Sequence, residues 1–113
     1  MHSEDRHLMD ETELAIQQIE KLTQITFNHR EQLCTQLFAH MGPAIERCLF
    51  GIKIGNPLLE EIETRYPGLM SMTQKAVQRI EQNYQIHFPP EELCLIAVSF
   101  GAWLIQEGVL AER

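Results

Sequence analysis

One histidine of this chain stands in a pattern that could carry phosphoryl chemistry. His40 lies in an apolar helical stretch, three residues before Pro43 and seven before Arg47. Pro43 lacks an N–H, so the carbonyl of Ala39 loses its helical partner and could orient one ring nitrogen of His40. Residues seven apart lie two turns apart on one helix face, so the Arg47 guanidinium could bind an anion attached to His40. A histidine packed into the core is the alternative interpretation.

The remaining chemistry-bearing residues match no catalytic or metal-binding pattern. Four further histidines have no metal-ligand spacing: His2, His7, His29 and His87. Ser99 lies in an apolar helix without the Gly-x-Ser-x-Gly context of a hydrolase nucleophile. The acidic run at Glu60, Glu61 and Glu63 is typical of a solvated helix face. We therefore expect no enzyme activity, no metal and no cofactor.

Size and composition favour one soluble domain. The chain has 113 residues, 44% of them hydrophobic, and a formal net charge of -7. An acidic surface argues against direct nucleic-acid binding by this domain. No apolar run is long enough to span a bilayer, and the first residues lack a signal-peptide core. Cys34, Cys48 and Cys94 are odd in number and lie in apolar helical patterns, which indicates reduced thiols in the cytoplasm.

Hydrophobic periodicity predicts an all-α fold, since no stretch alternates with the period of a strand. Five helices are expected, over residues 10–27, 29–50, 57–65, 70–84 and 90–106. We predict a flexible N-terminal tail over residues 1–9, one helical domain over 10–107 and a C-terminal tail over 108–113. No internal repeat is expected.

Several residues predict how these helices begin and pack. Asn28 is expected to cap the second helix, with Glu31 completing a capping box. Asn56 is expected to cap the third, with Pro57 in its first turn. The fifth helix is apolar on nearly every side and should be central, and Gly101 within it would let a neighbouring helix approach closely.

Four segments together resemble a known family. They are His-x2-Pro-Ala-Ile-x-Arg from His40, Ile-x-Asn-Pro-Leu-Leu-x-Glu-Ile from Ile54, Tyr66-Pro67, and Pro-x-Glu-Glu from Pro89 before an apolar helix. The pattern is similar to the PTS regulation domain, or PRD, of bacterial antiterminators and transcriptional activators controlled by the sugar phosphotransferase system. The resemblance covers about residues 12–107, and its last helix is most similar to the PRD of stationary-phase regulators.

The resemblance implies a compact five-helix bundle with two antiparallel helix pairs and a short connecting helix. It implies a homodimer whose histidines are phosphorylated by the phosphocarrier HPr or by a sugar-specific enzyme II. Because no apolar run could span a bilayer, we expect no membrane partner. Phosphorylation would change dimerisation and so switch an attached RNA- or DNA-binding domain. By position, His40 matches the first phosphoacceptor, while Arg47, Asn56 and Glu92 match residues that support the phosphate site.

Two positions depart from the family pattern. Ser99 stands where the second family histidine is expected, which makes it a degenerate second site, and Ala39 replaces the acidic residue that often precedes the first histidine. The leading hypothesis is a regulatory module with His40 as its one phosphoacceptor. The alternative is a degenerate PRD that is not phosphorylated and serves only for dimerisation or protein docking. A small helical enzyme or metal protein is the third interpretation.

Overall fold

The computed structural model describes the backbone of residues 3–110 and the side chains of residues 7–110. This part of the chain forms five α-helices and no strand, which confirms the predicted all-α bundle. The helices are α1 (Ser3–Thr23), α2 (Arg30–Leu49), α3 (Leu59–Arg65), α4 (Pro67–Tyr84) and α5 (Pro90–Gln106). The predicted bounds of the fifth helix are confirmed.

The first helix begins at Ser3, so the predicted start at residue 10 is wrong. Leu8 is buried in the core, so packing already stabilises the helix two residues before the predicted start. Residues 3–9 are therefore helical where a tail was expected, whereas residues 1–2 and 111–113 of the predicted tails lie outside the described residues.

The predicted cap of the second helix is also wrong. Its N-cap is His29, which makes no side-chain capping hydrogen bond. The Asn28 side-chain amide instead donates to Glu107 Oε1 at 2.9 Å, and the Asn28 backbone N–H donates to Glu107 Oε2 at 3.2 Å. A tertiary bond to the segment after α5 has replaced the local cap, because the Glu107 carboxylate accepts from both donors at once.

Asn56 holds the turn before α3 rather than acting as its N-cap, which is Leu58. Its Oδ1 accepts from the Leu58 N–H at 3.0 Å, and its carbonyl oxygen accepts from the Leu59 N–H at 3.1 Å. The helix thus starts two residues later than predicted. The next helix starts three residues earlier than predicted, with Pro67 in its first turn, where a missing N–H leaves no bond unmade.

The fold contains an internal repeat, so the prediction of none is wrong. Residues 8–27 and 69–88 carry the same residue at ten of twenty positions. The identical pairs are Leu8/Leu69, Met9/Met70, Thr12/Thr73, Ala15/Ala76, Gln17/Gln78, Ile19/Ile80, Glu20/Glu81, Gln24/Gln85, Ile25/Ile86 and Phe27/Phe88. These segments make up most of α1 and α4 and the loops that lead into α2 and α5.

Equivalent residues of the repeat make equivalent hydrogen bonds. The Thr12 and Thr73 hydroxyls each donate to the carbonyl four residues earlier, both at 2.8 Å. Near the end of each helix a glutamate carboxylate accepts a hydrogen bond from the phenylalanine seven residues later. The Phe27 N–H donates to Glu20 at 2.9 Å, and the Phe88 N–H donates to Glu81 at 2.8 Å. Gln24 and Gln85 both have positive φ, 61° and 54°. Each half therefore uses the same left-handed turn to start its second helix.

The two halves pack so that α1 contacts α4 and α2 contacts α5, and each helix pair shares one continuous core. The central position predicted for α5 is confirmed, since nine of its residues are buried. Gly101 faces α4 closely: a Cβ added there would lie 2.8 Å from Leu69 Cδ2, which agrees with the close approach expected at this glycine. No helix in the described part of the chain could cross a membrane.

Candidate functional site

The side chain of Arg47 is held by a carboxylate from another helix. Arg47 lies in the last turn of α2, and Glu92 lies in the first turn of α5. Arg47 Nε donates to Glu92 Oε2 at 2.6 Å and Arg47 Nη2 donates to Glu92 Oε1 at 2.8 Å, a two-point pairing. The Glu92 side chain is 1% exposed and that of Arg47 is 27% exposed. The hydrogen bond from Glu92 raises the pKa of Arg47 above its ordinary value.

Asn56 joins the loop after α2 to the same end of α5. Its Nδ2 donates to the carbonyl oxygen of Glu91 at 3.2 Å, one of the carbonyls in the first turn of that helix. Burial raises the pKa of the Cys94 thiol above its ordinary value, and the Asn56 side-chain amide lowers it by less. Asn56, Arg47 and Glu92 therefore belong to one polar cluster, which we call the α2–α5 clasp.

His40 is exposed on α2 and lies apart from the clasp. It precedes Arg47 by seven positions of the helix, a rise of about 10 Å. Among the described residues its ring makes no hydrogen bond or ion pair, so neither the Ala39 carbonyl nor the Arg47 guanidinium contacts it. The other described histidines each have a partner: His7 faces Glu11, His29 faces Trp103 and His87 faces Glu81.

The contacts at the two ends of α2 and α5 fix the register of these helices. Trp103 Nε1 donates to Gln36 Oε1 at 2.7 Å, while Arg47 pairs with Glu92 at the opposite end. The two helices are therefore antiparallel. His40 lies one turn after Gln36, and Ser99 lies one turn before Trp103, so the two residues stand at the same level of the helix pair. Ser99 is half-buried, and its hydroxyl donates to the Leu95 carbonyl at 3.4 Å.

Three exposed apolar side chains follow Arg47 along the chain. Phe50 is 77% exposed, Ile52 57% and Leu49 56%, all at the end of α2 or in the loop that follows. The Ile52 N–H donates to the Arg47 carbonyl at 2.8 Å, so the backbone of the patch is hydrogen-bonded to a residue of the clasp. We call Leu49, Phe50 and Ile52 the apolar patch. Exposed apolar side chains this close together are typical of an interaction surface.

Sequence reasoning singled out the residues of the clasp but missed Gln36 and Trp103, which set the helix register. No local pattern signals that pair, because the two residues lie on different helices and 67 positions apart. The cysteines are free thiols, Cys94 buried and the other two half-buried. The described residues contain no cluster of histidine, cysteine and acidic side chains that could hold a metal ion.

Comparison with known proteins gives consistent matches. The family model for the PRD domain matches residues 13–103. The stationary phase-inducible protein CsiE of Escherichia coli is 38% identical over 112 residues, covering 99% of this chain and 26% of the relative. The transcriptional regulator ManR of Bacillus subtilis is 25% identical over 87 residues, covering 77% of this chain and 13% of the relative.

The probable licABCH operon regulator of Bacillus subtilis is 30% identical over 87 residues, which cover 77% of this chain and 14% of the relative. The chain thus spans about a quarter or less of the length of these relatives. No solved structure shows significant similarity to it. Because the family model covers most of the chain and all five helices contribute to the match, the chain belongs to the PRD domain family.

Proposed function

We propose that this domain is the regulatory module of a bacterial transcriptional regulator or antiterminator, and that it responds to the sugar phosphotransferase system through phosphorylation of His40. The observation that carries the proposal is the exposed ring of His40, which has no partner among the described residues and lies level with position 99 on α5, two turns from the clasp. ManR and the licABCH regulator are named as regulators, and they share this family with the chain.

The geometry suits a phosphoryl acceptor because a neutral imidazole nitrogen must approach the phosphorus of a donor protein. A ring on the exposed face of α2 can be reached by HPr or by an enzyme II. In the transfer, a new N–P bond forms at His40 as the N–P or S–P bond of the donor breaks. The phosphorylated ring carries about two additional negative charges on a domain whose net charge is already -7.

The clasp is where we expect that charge to act. Arg47 is the cation nearest to His40 along the same face of α2, and it is already paired with a buried carboxylate. A phosphate on His40 would compete with Glu92 for the guanidinium. The Ile52 N–H is hydrogen-bonded to the Arg47 carbonyl, so a displacement of Arg47 would also move the backbone of the apolar patch. Phosphorylation would thereby bias the assembly of the domain.

Homodimerisation is the second part of the proposal, and the apolar patch supports it. Phe50→Ser should shift the protein toward monomer in sedimentation velocity experiments. Leu22→Ser is the matched control, because Leu22 is also exposed, at 40%, but lies on α1 away from the patch. Equal dimer fractions in wild type and Phe50→Ser would remove the patch from the proposal.

The phosphorylation claim is tested with purified components. The protein is incubated with phosphoenolpyruvate, enzyme I and HPr, and in a second series with the soluble domains of enzyme II proteins. We expect acid-labile label on the wild type and on His87→Ala, whose histidine is also exposed, and no label on His40→Ala. Label that survives His40→Ala would assign the phosphate to another residue.

A degenerate PRD that only dimerises or docks is the rival function, and Ser99 favours it because the second family histidine is replaced. The two functions differ in the behaviour of His40→Glu, which introduces a charge at the acceptor position. Under our proposal this variant changes the dimer fraction relative to wild type. An unchanged dimer fraction, together with no phosphoryl label on the wild type, would support the rival.

A further inference from the structure

The register of α2 and α5 places one particular residue opposite His40. Two cross-helix hydrogen bonds set this register, Gln36–Trp103 at 2.7 Å and Arg47–Glu92 at 2.6 Å. On α2 His40 lies four residues from the first bond, and on α5 Ser99 also lies four residues from it. From the second bond the separation is seven residues on each helix. Counted from either bond, the residue of α5 that lies opposite His40 is therefore Ser99.

Helical spacing puts the two side chains on the facing sides of their helices. Residues four or seven positions apart lie on one stripe of a helix, so His40 shares the stripe of α2 that contacts α5. Ser99 shares the stripe of α5 that contacts α2, for the same reason. Packed helices have axes about 8–10 Å apart, a distance that two facing side chains can bridge. His40 is exposed and Ser99 is half-buried, so the histidine lies on the solvent side of the pair.

The Ser99 hydroxyl is only weakly bound to its own helix. It donates to the Leu95 carbonyl at 3.4 Å, which is longer than the usual distance of about 2.5–3.0 Å between the oxygens of such a bond. In an α-helix that carbonyl already accepts the backbone N–H four residues later, so it loses little if the hydroxyl rotates away. Ser99 can therefore donate its hydrogen to another acceptor at small cost.

Between the two cross-helix bonds, the chain offers a phosphoryl group on His40 very few donors. Residues 93–102 of α5 contain no lysine, arginine, histidine, asparagine or glutamine, and their other polar hydrogen belongs to the buried thiol of Cys94. Residues 37–46 of α2 contain no lysine or arginine. Backbone N–H groups within a helix are already bonded to carbonyls. Of the side chains in this part of the pair, the one placed to donate to the phosphoryl group is Ser99.

We propose that the Ser99 hydroxyl donates a hydrogen bond to a phosphoryl oxygen on His40, so that phosphorylation links α2 to α5 midway between the two existing bonds. This inference rests on the proposed function. The N–P bond at His40 stays intact and Ser99 keeps its proton, which turns from the Leu95 carbonyl to the phosphoryl oxygen. Hydrogen bonds to charged acceptors are stronger than neutral ones. Ser99 is thus a positioning residue that shifts phosphoryl transfer toward the phosphorylated domain.

The equilibrium of phosphoryl transfer tests the proposal. The donor that labels the wild type is mixed with each protein, and the ratio of phosphorylated to unphosphorylated domain is measured at equilibrium. Ser99→Ala should lower this ratio about tenfold, because a hydrogen bond to a charged group is lost. Ser99→Thr keeps a hydroxyl and should restore most of the ratio. Ser71→Ala removes an exposed hydroxyl from α4 and, as the matched control, should change the ratio less than about twofold.

Urea unfolding of the unphosphorylated proteins is the second measurement, because a purely structural role of Ser99 would change it. We expect the midpoint of Ser99→Ala to be unchanged or slightly higher, since alanine favours a helix. A lowered midpoint that accompanies the lowered ratio would assign Ser99 a structural role and overturn the proposal.

Three results of the transfer experiment would also overturn it. They are an unchanged ratio in Ser99→Ala, a loss that Ser99→Thr does not restore, and acid-stable label on Ser99, which would show that the hydroxyl is esterified. In each case acid-labile label on wild-type His40 would leave the proposed function in place. No label on the wild type would overturn both proposals, so the two failures are distinguishable.

Discussion

The Arg47–Glu92 pair allows a sharp test of how the clasp stabilises the bundle. Arg47→Met would leave the Glu92 carboxylate 99% buried with its two strongest donors gone. Breaking a buried pair from one side destabilises proteins by about 3 to 5 kcal/mol. Because the Arg47 side chain is partly exposed, water can enter the vacated space, so we expect the lower end, about 3 kcal/mol.

Glu92→Met should be milder. The guanidinium left behind is on a long side chain that already reaches solvent, so it can turn outward and keep its charge hydrated. We expect a loss of about 1 kcal/mol, the scale of one net hydrogen bond. The double variant Arg47→Met/Glu92→Met buries no charge and should lie within about 1 kcal/mol of the wild type.

Urea unfolding followed by circular dichroism measures all three variants. Arg65→Met is the control, because Arg65 pairs with Glu61 on the surface of α3 at 3.4 Å and both side chains are about half exposed. A pair of this kind should contribute less than about 0.5 kcal/mol. Two results would refute the reasoning: Glu92→Met as destabilising as Arg47→Met, or a double variant as unstable as Arg47→Met alone.

Three further predictions concern groups outside the clasp. Burial raises the pKa of Cys94 above its ordinary value of 9.0, so iodoacetamide should label it slowly at neutral pH. The protonated thiol stabilises the fold fully below pH 9.0, and this contribution should fall in urea melts as pH rises further. Gly101→Ala should destabilise the domain by about 1 to 3 kcal/mol in urea melts, because its new Cβ would crowd Leu69. Glu81→Ala should cost about 2 kcal/mol and Glu20→Ala about 1 kcal/mol by thermal unfolding, since Glu81 is buried and Glu20 only half-buried; equal losses would contradict this.

The helices were predictable because their apolar spacing is strong, and the last helix was predicted to the residue. The first helix began earlier because Leu8 packs into the core, and Leu8 and Met9 are too few apolar residues to give residues 3–9 a periodic signal. Asn28 had the chemistry of a cap, but a carboxylate 79 positions away bonds it instead. Tertiary partners of this kind are invisible to local patterns.

The candidate site was predictable in its parts and not in its arrangement. Family resemblance indicated Arg47, Asn56 and Glu92. Their separation along the chain does not indicate that the Arg47 guanidinium is bound to Glu92 and not available to His40.

The repeat differs from these cases, because its signal was present in the sequence. Leu, Met, Thr, Ala, Gln, Ile and Glu recur in the same order in α1 and α4, and a self-comparison at a spacing of 61 would have found them.

The central claim is that His40 carries the phosphoryl group, and the most direct measurement is made on its ring. Protein labelled with ¹⁵N in its histidines is phosphorylated by the phosphotransferase components and examined by ¹⁵N and ³¹P NMR. Our account predicts a ³¹P-coupled ring nitrogen assigned to His40, with the signals of His29 and His87 retaining their unphosphorylated pattern. A ³¹P coupling on another histidine, or an uncoupled His40 ring under conditions in which the donor is fully phosphorylated, would contradict it.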